Sequence, residues 1–416
     1  MLKTRIFRYN KKLFKNPIFY LKIYWIVLIL YGEYFIFFRT LYNSQWPQLS
    51  GDIQKNDFAI NHIAIIADPQ LVDQKMFTDN YVMKSFFNLK KIKKPDHYMF
   101  LGDLTDGGRE LEDDEWETDL KRFHRIFHLN QYEKKRSKIL YAGGNHDYGS
   151  GNTIDVASYK RFVNRISDVN YSVEVGNYVL VVIDTIGYES NNIDISSKTK
   201  SFIESVRKEY PEKSVLLFTH VPLWRPSGTY CGKLRQGRKK SINDGVGYQY
   251  SNLVGKNASE YILQTIKPEV VFSGDDHDNC EIAHLVNNKA IKEYTVGAFG
   301  WASGVPYPSV GLLSLFSSKN GNQNYSKFQP ILLPNQLHTY LFYISSFVFT
   351  FILLLLSSVY EVVESRKYSG NNVLPHKSTI PKYYETHSIR NYCSVLWIVL
   401  KKISKKIVYV AKYPLI

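Results

Sequence analysis

Cysteine is scarce in this chain: there are three in 416 residues, and Cys231, Cys280 and Cys393 do not match the spacing of a zinc site. There is no internal repeat and no low-complexity tract, which excludes an array of small stacked modules. Acidic residues are missing from residues 1–22, which carry seven Lys and Arg. They are thin again over residues 361–416, where ten Lys and Arg stand against three acids. Charge of either sign is absent from residues 340–360.

These absences locate the charge. Each tail carries a formal +7, so of the net +15 only about +1 remains for everything between them. Basicity spread over a whole domain would suggest nucleic acid. Confined to the tails, it argues against nucleic acid and for contacts with anionic membrane lipids. By the positive-inside rule both termini read as cytoplasmic.

Two apolar runs lie just inside the tails. One covers residues 18–38, interrupted by Lys22 and Glu33, and the other is the uncharged run. A bilayer core needs about 20 apolar residues of helix, and both suffice. A cleaved signal peptide is the alternative for the first, but Arg39-Thr40-Leu41-Tyr42 offers no small-residue cleavage site. The expected organisation is a cytoplasmic arm (1–17), an uncleaved signal anchor (18–38), a lumenal or extracellular domain (39–338), a second span (339–360) and a basic cytoplasmic tail (361–416). Residues 393–400 are too few to span and read as an interfacial patch. Cys231 and Cys280 fall on the far side of the membrane, where they can form a disulfide, whereas Cys393 faces reducing cytosol. Asn-x-Ser sequons at Asn170, Asn257 and Asn324 fall on that same side.

A hydrophobic content of 44% argues against disorder. Within the central segment five short blocks follow one another: Asp68-Pro69-Gln70; Gly102-Asp103 with Asp106-Gly107-Gly108-Arg109; Gly144-Asn145-His146-Asp147; Thr219-His220; and Gly274-Asp275-Asp276-His277. Each comes where an apolar, strand-like run ends, at 63–67, 98–101, 139–142, 215–218 and 270–272. Oxygen and imidazole donors at strand ends can converge on one edge of a sheet. A lone aspartate after a strand, such as Asp68 or Asp103, is more often a turn or cap. The ordered set of five is what points to a shared metal site. His62, His97 and His284 fit no block and read as structural, and Asp184 reads as a strand-end cap.

Helical patterns alternate with the strands. Trp116, Leu120, Phe123 and Phe127 share one helix face, and 157–166 is similar. With further strands near 179–184, 291–296 and 309–316, the pattern predicts one layered α/β domain.

The order and content of the blocks resemble the calcineurin-like metallophosphoesterase superfamily, whose usual signature is D-x-H, G-D, G-N-H-[DE], H and G-H-x-H. The likeness covers about residues 60 to 300 and implies a central β-sandwich flanked by helices. Two positions depart from it: Gln70 and Asp275 stand where histidines are usual. Both carry oxygen donors, which favour ions such as Mn²⁺ or Mg²⁺ over a histidine-rich site. Ile66 to Gln70, Gly107-Gly108-Arg109, Thr219 to Leu223 and Ser273 to Asp278 further resemble one membrane-bound branch. Its members are endoplasmic-reticulum (ER) enzymes that remove ethanolamine phosphate from the mannoses of glycosylphosphatidylinositol (GPI) anchors, and its fungal members share both replacements.

That resemblance implies a ligand set: Asp68, Gln70 and His277 for one divalent ion, Asn145, His220 and Asp275 for another, and Asp103 bridging them. Mn²⁺ is the expected metal, with Mg²⁺, Zn²⁺ and Fe as alternatives. His146 is the implied proton donor, oriented by Asp147 or Asp106. Arg109 either clamps a phosphate oxygen or supports the Gly107-Gly108 turn through an ion pair. The implied partners are GPI glycolipid or GPI-anchored proteins, membrane lipids and ER cargo-export machinery, with no nucleic acid. The competing class is a weakly catalytic metal-binding membrane protein in manganese balance or cargo exit.

The basic stretch 224–250 carries Arg225 and Arg235, read as contacts to an anionic glycolipid, with a solvated loop as the alternative. Trp301 and Tyr307 are either a sugar-binding rim or, more commonly, packing residues.

Overall fold

The computed structural model describes residues 17–49, 57–72, 75–128, 138–319, 323–370 and 401. The basic arm before residue 17, Cys393, the patch at 393–400 and most of the basic tail lie outside the described residues. Residues Ile36–Gln336 form one compact unit; Met1–Phe35 and Leu337–Ile416 belong to a second.

In the second unit the chain is helical over Pro17–Leu30 and, through a π-helical turn, over Tyr31–Phe35. A helix at Gln336–Gly370 follows late in the chain. The stretches Ile18–Asn43 and Gln336–Tyr360, of 26 and 25 residues, are long and apolar enough to cross a membrane. Val27, Leu30, Leu341 and Phe347 are exposed there, an apolar surface suited to lipid rather than water. Polar contacts join the helices: Tyr24 Oη donates to Ser346 Oγ at 2.7 Å and Trp25 Nε1 to Thr350 Oγ1 at 3.1 Å. Glu33, the acid that interrupts the first run, accepts from Tyr343 Oη at 3.0 Å. A Cβ on Gly32 would meet Tyr343 Oη at 2.2 Å, so glycine permits this approach, as small residues do between membrane helices.

The larger unit is a β-sandwich with helices on its outer faces. Thirteen strands are described: β1 Phe58–Ile66, β2 His97–Leu101, β3 Lys138–Ala142, β4 Tyr171–Val175, β5 Tyr178–Val182, β6 Ser214–Phe218, β7 Val246–Gly247, β8 Tyr250–Ser251, β9 Val270–Ser273, β10 Cys280–Val286, β11 Lys289–Thr295, β12 Ser309–Ser318 and β13 Tyr325–Leu332. One sheet has the order β13-β12-β1-β2-β3 and the other β10-β11-β9-β6-β5-β4. β1-β2-β3 run parallel, as do β5-β6-β9-β11.

Alternation along the strands builds two cores. Ile63, Ile65, Met99 and Leu101 of one sheet pack against Leu180, Val182, Leu216 and Phe218 of the other. The intervening Ile66, Phe100, Val181 and Leu217 face outward, among side chains of helices Lys75–Asn88, Asp113–Ile126, Ile193–Glu209 and Lys256–Ile266. The expected aromatic stripe is on the second of these, where Trp116, Leu120 and Phe123 are buried. The helix expected at 157–166 is Val156–Arg165, its N-terminus capped by Asp155, which accepts from Ser158 N at 2.7 Å. Asp184 ends β5 as expected: it accepts from Gly187 N at 2.8 Å and from Tyr148 Oη at 3.0 Å.

Candidate metal centre

All five blocks lie just beyond the C-terminal ends of parallel strands, β1, β2 and β3 from one sheet and β6 and β9 from the other. The backbone there is unusual. Asp68, Gln70, Asp103, Asp275 and His277 have φ of 45°, 36°, 50°, 64° and 66°, a left-handed region that non-glycine residues seldom enter. Such conformations cost on the order of 1–3 kcal/mol each and persist where neighbours over-determine them. Here Gln70 N donates to Asp103 O at 2.9 Å and Gly274 N to His220 O at 2.8 Å. Asp275 N donates to the Asp68 carboxylate at 3.0 and 3.2 Å.

Donor atoms of Asp68, Asp103 and His220 lie within 4.8 Å of one another, all three residues buried. His220 Nδ1 meets the Leu101 carbonyl at 2.6 Å, which fixes the proton there and leaves Nε2 as a donor for metal. That Nε2 is 3.4 Å from Asp103 Oδ1, 3.5 Å from Asp275 Oδ1 and 3.2 Å from Asn145 Oδ1. His277 Nδ1 is likewise held by a carbonyl, that of Ser303 at 3.1 Å. Two glycines leave room for the cluster: a Cβ at Gly144 would lie 2.2 Å from Asp103 Oδ1, and one at Gly102 (φ 88°) 2.4 Å from His220 Nδ1.

Charge is concentrated accordingly. Burial, reinforced by Asp103 and Asp275, pushes the Asp68 carboxyl well up. Burial alone would lower His220, but Asp103, Asp275 and Asp68 raise it well above its ordinary value. Buried carboxylates that retain protons among themselves and an imidazole suit a divalent cation, which replaces those protons. The donor set thus fits metal.

His146 sits beside this cluster. Its Nδ1 donates to Asp106 O at 2.8 Å and lies 3.2 Å from Asp106 Oδ1, while Nε2 is 4.0 Å from Asp103 Oδ2. Burial opposes its charge, but the bond to Asp106 and the field of Asp103 raise it to about 9. Gln70 Nε2 lies 3.1 Å from both His146 Nε2 and Asp106 Oδ1. Of the two carboxylates considered as the orienting partner, Asp106 is therefore the one. Asp147 instead accepts from the backbone N–H groups of Asp103, Leu104 and Gly144, and burial followed by Asp103 pushes it to about 7.

Two expectations are corrected, and for Arg109 the second of its two readings is the one seen. Its Nε pairs with Glu110 Oε1 at 3.4 Å, its Nη1 donates to Asn145 O at 3.0 Å and its backbone N to His146 O at 2.9 Å, so it braces the turn that carries those residues. Arg225 is buried at 2% exposure and pairs with Glu293 at 2.8 Å. Arg235, also buried, is bonded to the Asp276 carboxylate. Both guanidiniums are consumed by buried acids, because a desolvated charge must be paired, and neither is presented to substrate.

Other side groups resolve simply. Trp301 packs against the core, and Tyr307 pairs through its backbone with Gln236. Cys231 and Cys280 are joined by a disulfide. His62 stacks on Trp46 and His284 meets Glu293 at 2.5 Å, both structural as expected. Of the sequon asparagines, Asn257 is exposed, whereas the Asn170 amide is engaged by Thr199 and Asp184 N. Sequence reasoning missed Gln249, whose carbonyl accepts from Asn145 Nδ2 at 3.0 Å. A backbone carbonyl carries no side-chain signal that could have revealed it.

The sequence pattern of calcineurin-like phosphoesterases matches residues 62–279, a span that contains all five blocks. This chain belongs to the calcineurin-like phosphoesterase family. Cell division control protein 1 of Saccharomyces cerevisiae is 31% identical over 315 residues, 71% of this chain and 63% of that protein. The metallophosphoesterase 1 homolog of Caenorhabditis elegans is 25% identical over 289 residues, 67% of this chain and 76% of that one. Metallophosphoesterase 1 of Mus musculus is 23% identical over 308 residues, 66% and 74% respectively. The chain thus spans 63% of the length of the yeast relative. As a family member it is a phosphoesterase, with a carboxylate–histidine triad suited to divalent metal and two helices fit to make it a membrane protein.

Proposed function

We propose that this phosphoesterase is a phosphodiesterase of the ER membrane that removes ethanolamine phosphate from a mannose of GPI anchors, supporting remodelling and export of GPI-anchored proteins. The observation that carries the reading is the buried cluster at the sandwich edge with His146 against it. Asp68, Gln70 and His277 would hold one ion and Asn145, His220 and Asp275 a second, with Asp103 shared by the two groups, and this oxygen-rich set would favour Mn²⁺. When bound, such ions supply Lewis-acid activation of water and neutralise phosphate oxygens.

The chain's own residues do the rest. His146 keeps a proton at Nε2, its ring fixed by Asp106, and delivers it to the leaving sugar oxygen. Arg109 and Gly144 hold the turn that sets His146 and Asn145. Asp147 ties the Asp103 turn to Gly144 through three backbone bonds. The Cys231–Cys280 disulfide supports an oxidising, lumenal setting for this unit, with both termini cytoplasmic.

The test is to incubate the purified protein with defined GPI glycans and Mn²⁺, alongside Asp103→Ala and His146→Ala. Release of ethanolamine phosphate by wild type alone is expected; equal release by all three, or none by wild type, rejects the reading.

A further inference from the structure

Asp276 stands between two residues of the proposed ligand set, Asp275 and His277, and both of those have left-handed backbones, φ 64° and 66°. Such a turn is strained and persists only while its surroundings over-determine it. Asp68 holds Asp275 N. The side chains of Asp276 and Asp278 are held instead by one short segment, residues 231–240.

That segment is a closed loop. Cys231 N donates to Lys240 O at 2.8 Å across its base, and the Cys231–Cys280 disulfide fastens it to the first residue of β10. Glu281 N adds a bond to Cys231 O at 3.0 Å. From this anchored loop the buried Arg235 reaches the turn: Nη1 and Nη2 both donate to the Asp276 carboxylate, the second at 3.2 Å. Its Nε donates to Lys239 O at 3.1 Å, which fixes the direction of the fork. Gln236 N and Gly237 N each donate to Asp278 Oδ2 at 2.8 Å.

The same loop also fastens the support of the His277 ring. The Gln236 side chain pairs reciprocally with the Tyr307 backbone, Nε2 donating to O at 2.7 Å and Oε1 accepting from N at 2.8 Å. Tyr307 belongs to the segment whose Ser303 carbonyl meets His277 Nδ1 at 3.1 Å. His277 is thus tied to the loop twice, through its neighbours in the chain and through the segment that holds its ring.

We infer that loop 231–240 is the positioning element of the Asp275–His277 turn, with Arg235 as the positioning residue and the Cys231–Cys280 disulfide as its anchor. Arg235 is not itself a ligand; it acts through Asp276, and a lysine, lacking the planar fork, could not grip both carboxylate oxygens in the same way. Its consequence for metal rests on the proposed assignment of Asp275 and His277 as ligands.

The test is titration of the metal-stripped full-length protein in detergent with Mn²⁺, followed by calorimetry and electron paramagnetic resonance, beside labelling of the same apo protein with diethyl pyrocarbonate, which modifies histidine. Wild type is expected to take up two ions and give the exchange-coupled signal of a Mn²⁺ pair. Arg235→Ala, Gln236→Ala and the double variant Cys231→Ala/Cys280→Ala should each weaken the Kd for one ion by about 10–100-fold, the usual scale for partners that orient a ligand. At equal Mn²⁺ the coupled signal should give way to the six-line signal of an isolated ion, and His277 should be labelled several-fold faster. Arg238→Ala, exposed on the same loop, should match wild type. Gln236→Ala removes no buried charge, so it decides the matter if Arg235→Ala fails to fold. Unchanged Kd and unchanged His277 labelling in the loop variants, or equal effects from Arg238→Ala, overturn the inference. Faster labelling with unchanged Mn²⁺ affinity leaves the loop as what sets the turn and rejects His277 as a ligand; loss of Mn²⁺ from His277→Ala with none from the loop variants keeps the ligand and rejects the loop.

Discussion

His146 is separated from the proposed metal ligands by its neighbours' chemistry rather than by distance. Asp106 fixes its ring, Asp103 helps to keep it charged, and Gln70 lies against its Nε2. His146→Ala is therefore expected to lower kcat by roughly 10²–10⁴-fold, the usual worth of a positioned acid, while metal content measured by mass spectrometry stays at the wild-type level. Arg225 teaches a second lesson at this scale. Arg225→Ala leaves Glu293 buried with His284 as its remaining charged neighbour and should cost about 3 kcal/mol in thermal or chemical unfolding. The pH dependence has a definite sign. Burial on its own would raise Glu293, but Arg225 and His284 hold it down at about 2, from 4.5 unfolded. Its contribution to stability is thus complete above pH 4.5 and is lost as pH falls toward 2. Glu293→Gln should flatten the stability profile across that window and leave the neutral range without slope.

Among the elements, the strand-end turns define the centre, and they are also what a sequence displays best. The turns after β1, β2, β3, β6 and β9 were legible because apolar runs and polar ligands adjoin. Strands β4, β10 and β13 were not: they lie at sheet edges, with Glu174, Glu281 and Lys327 among residues that face outward, and their apolar signal is diluted. Helix Lys75–Asn88 was also missed, its buried Tyr81, Val82 and Phe86 scattered among polar residues. Arg225 and Arg235 looked like solvent residues because their partners, Glu293 and Asp276, are distant in sequence and only the fold brings them near. The glycine turns yield a prediction of their own. Gly144→Ala drives a methyl group into Asp103 Oδ1 and is expected to abolish stoichiometric metal binding while the circular dichroism spectrum of the sandwich is retained.

For the whole molecule, the disulfide and the two apolar helices each lead to a measurement. Replacing both Cys231 and Cys280 by alanine should cost roughly 2–4 kcal/mol, read as a lower unfolding temperature. The full chain should stay in the membrane pellet through alkaline carbonate extraction, as expected of two bilayer-length helices, and removal of metal by a chelator should lower its unfolding temperature, since a bound ion stabilises only the folded state. The paired helices have a kinetic consequence as well. An enzyme and a lipid-anchored substrate held in one bilayer meet by lateral diffusion, so what governs their encounter is mole fraction in the sheet, not bulk molarity. Under the proposed function, diluting the bilayer with inert phospholipid at constant total substrate should slow cleavage of a GPI lipid in proportion, whereas hydrolysis of a water-soluble diester by the same vesicles stays constant.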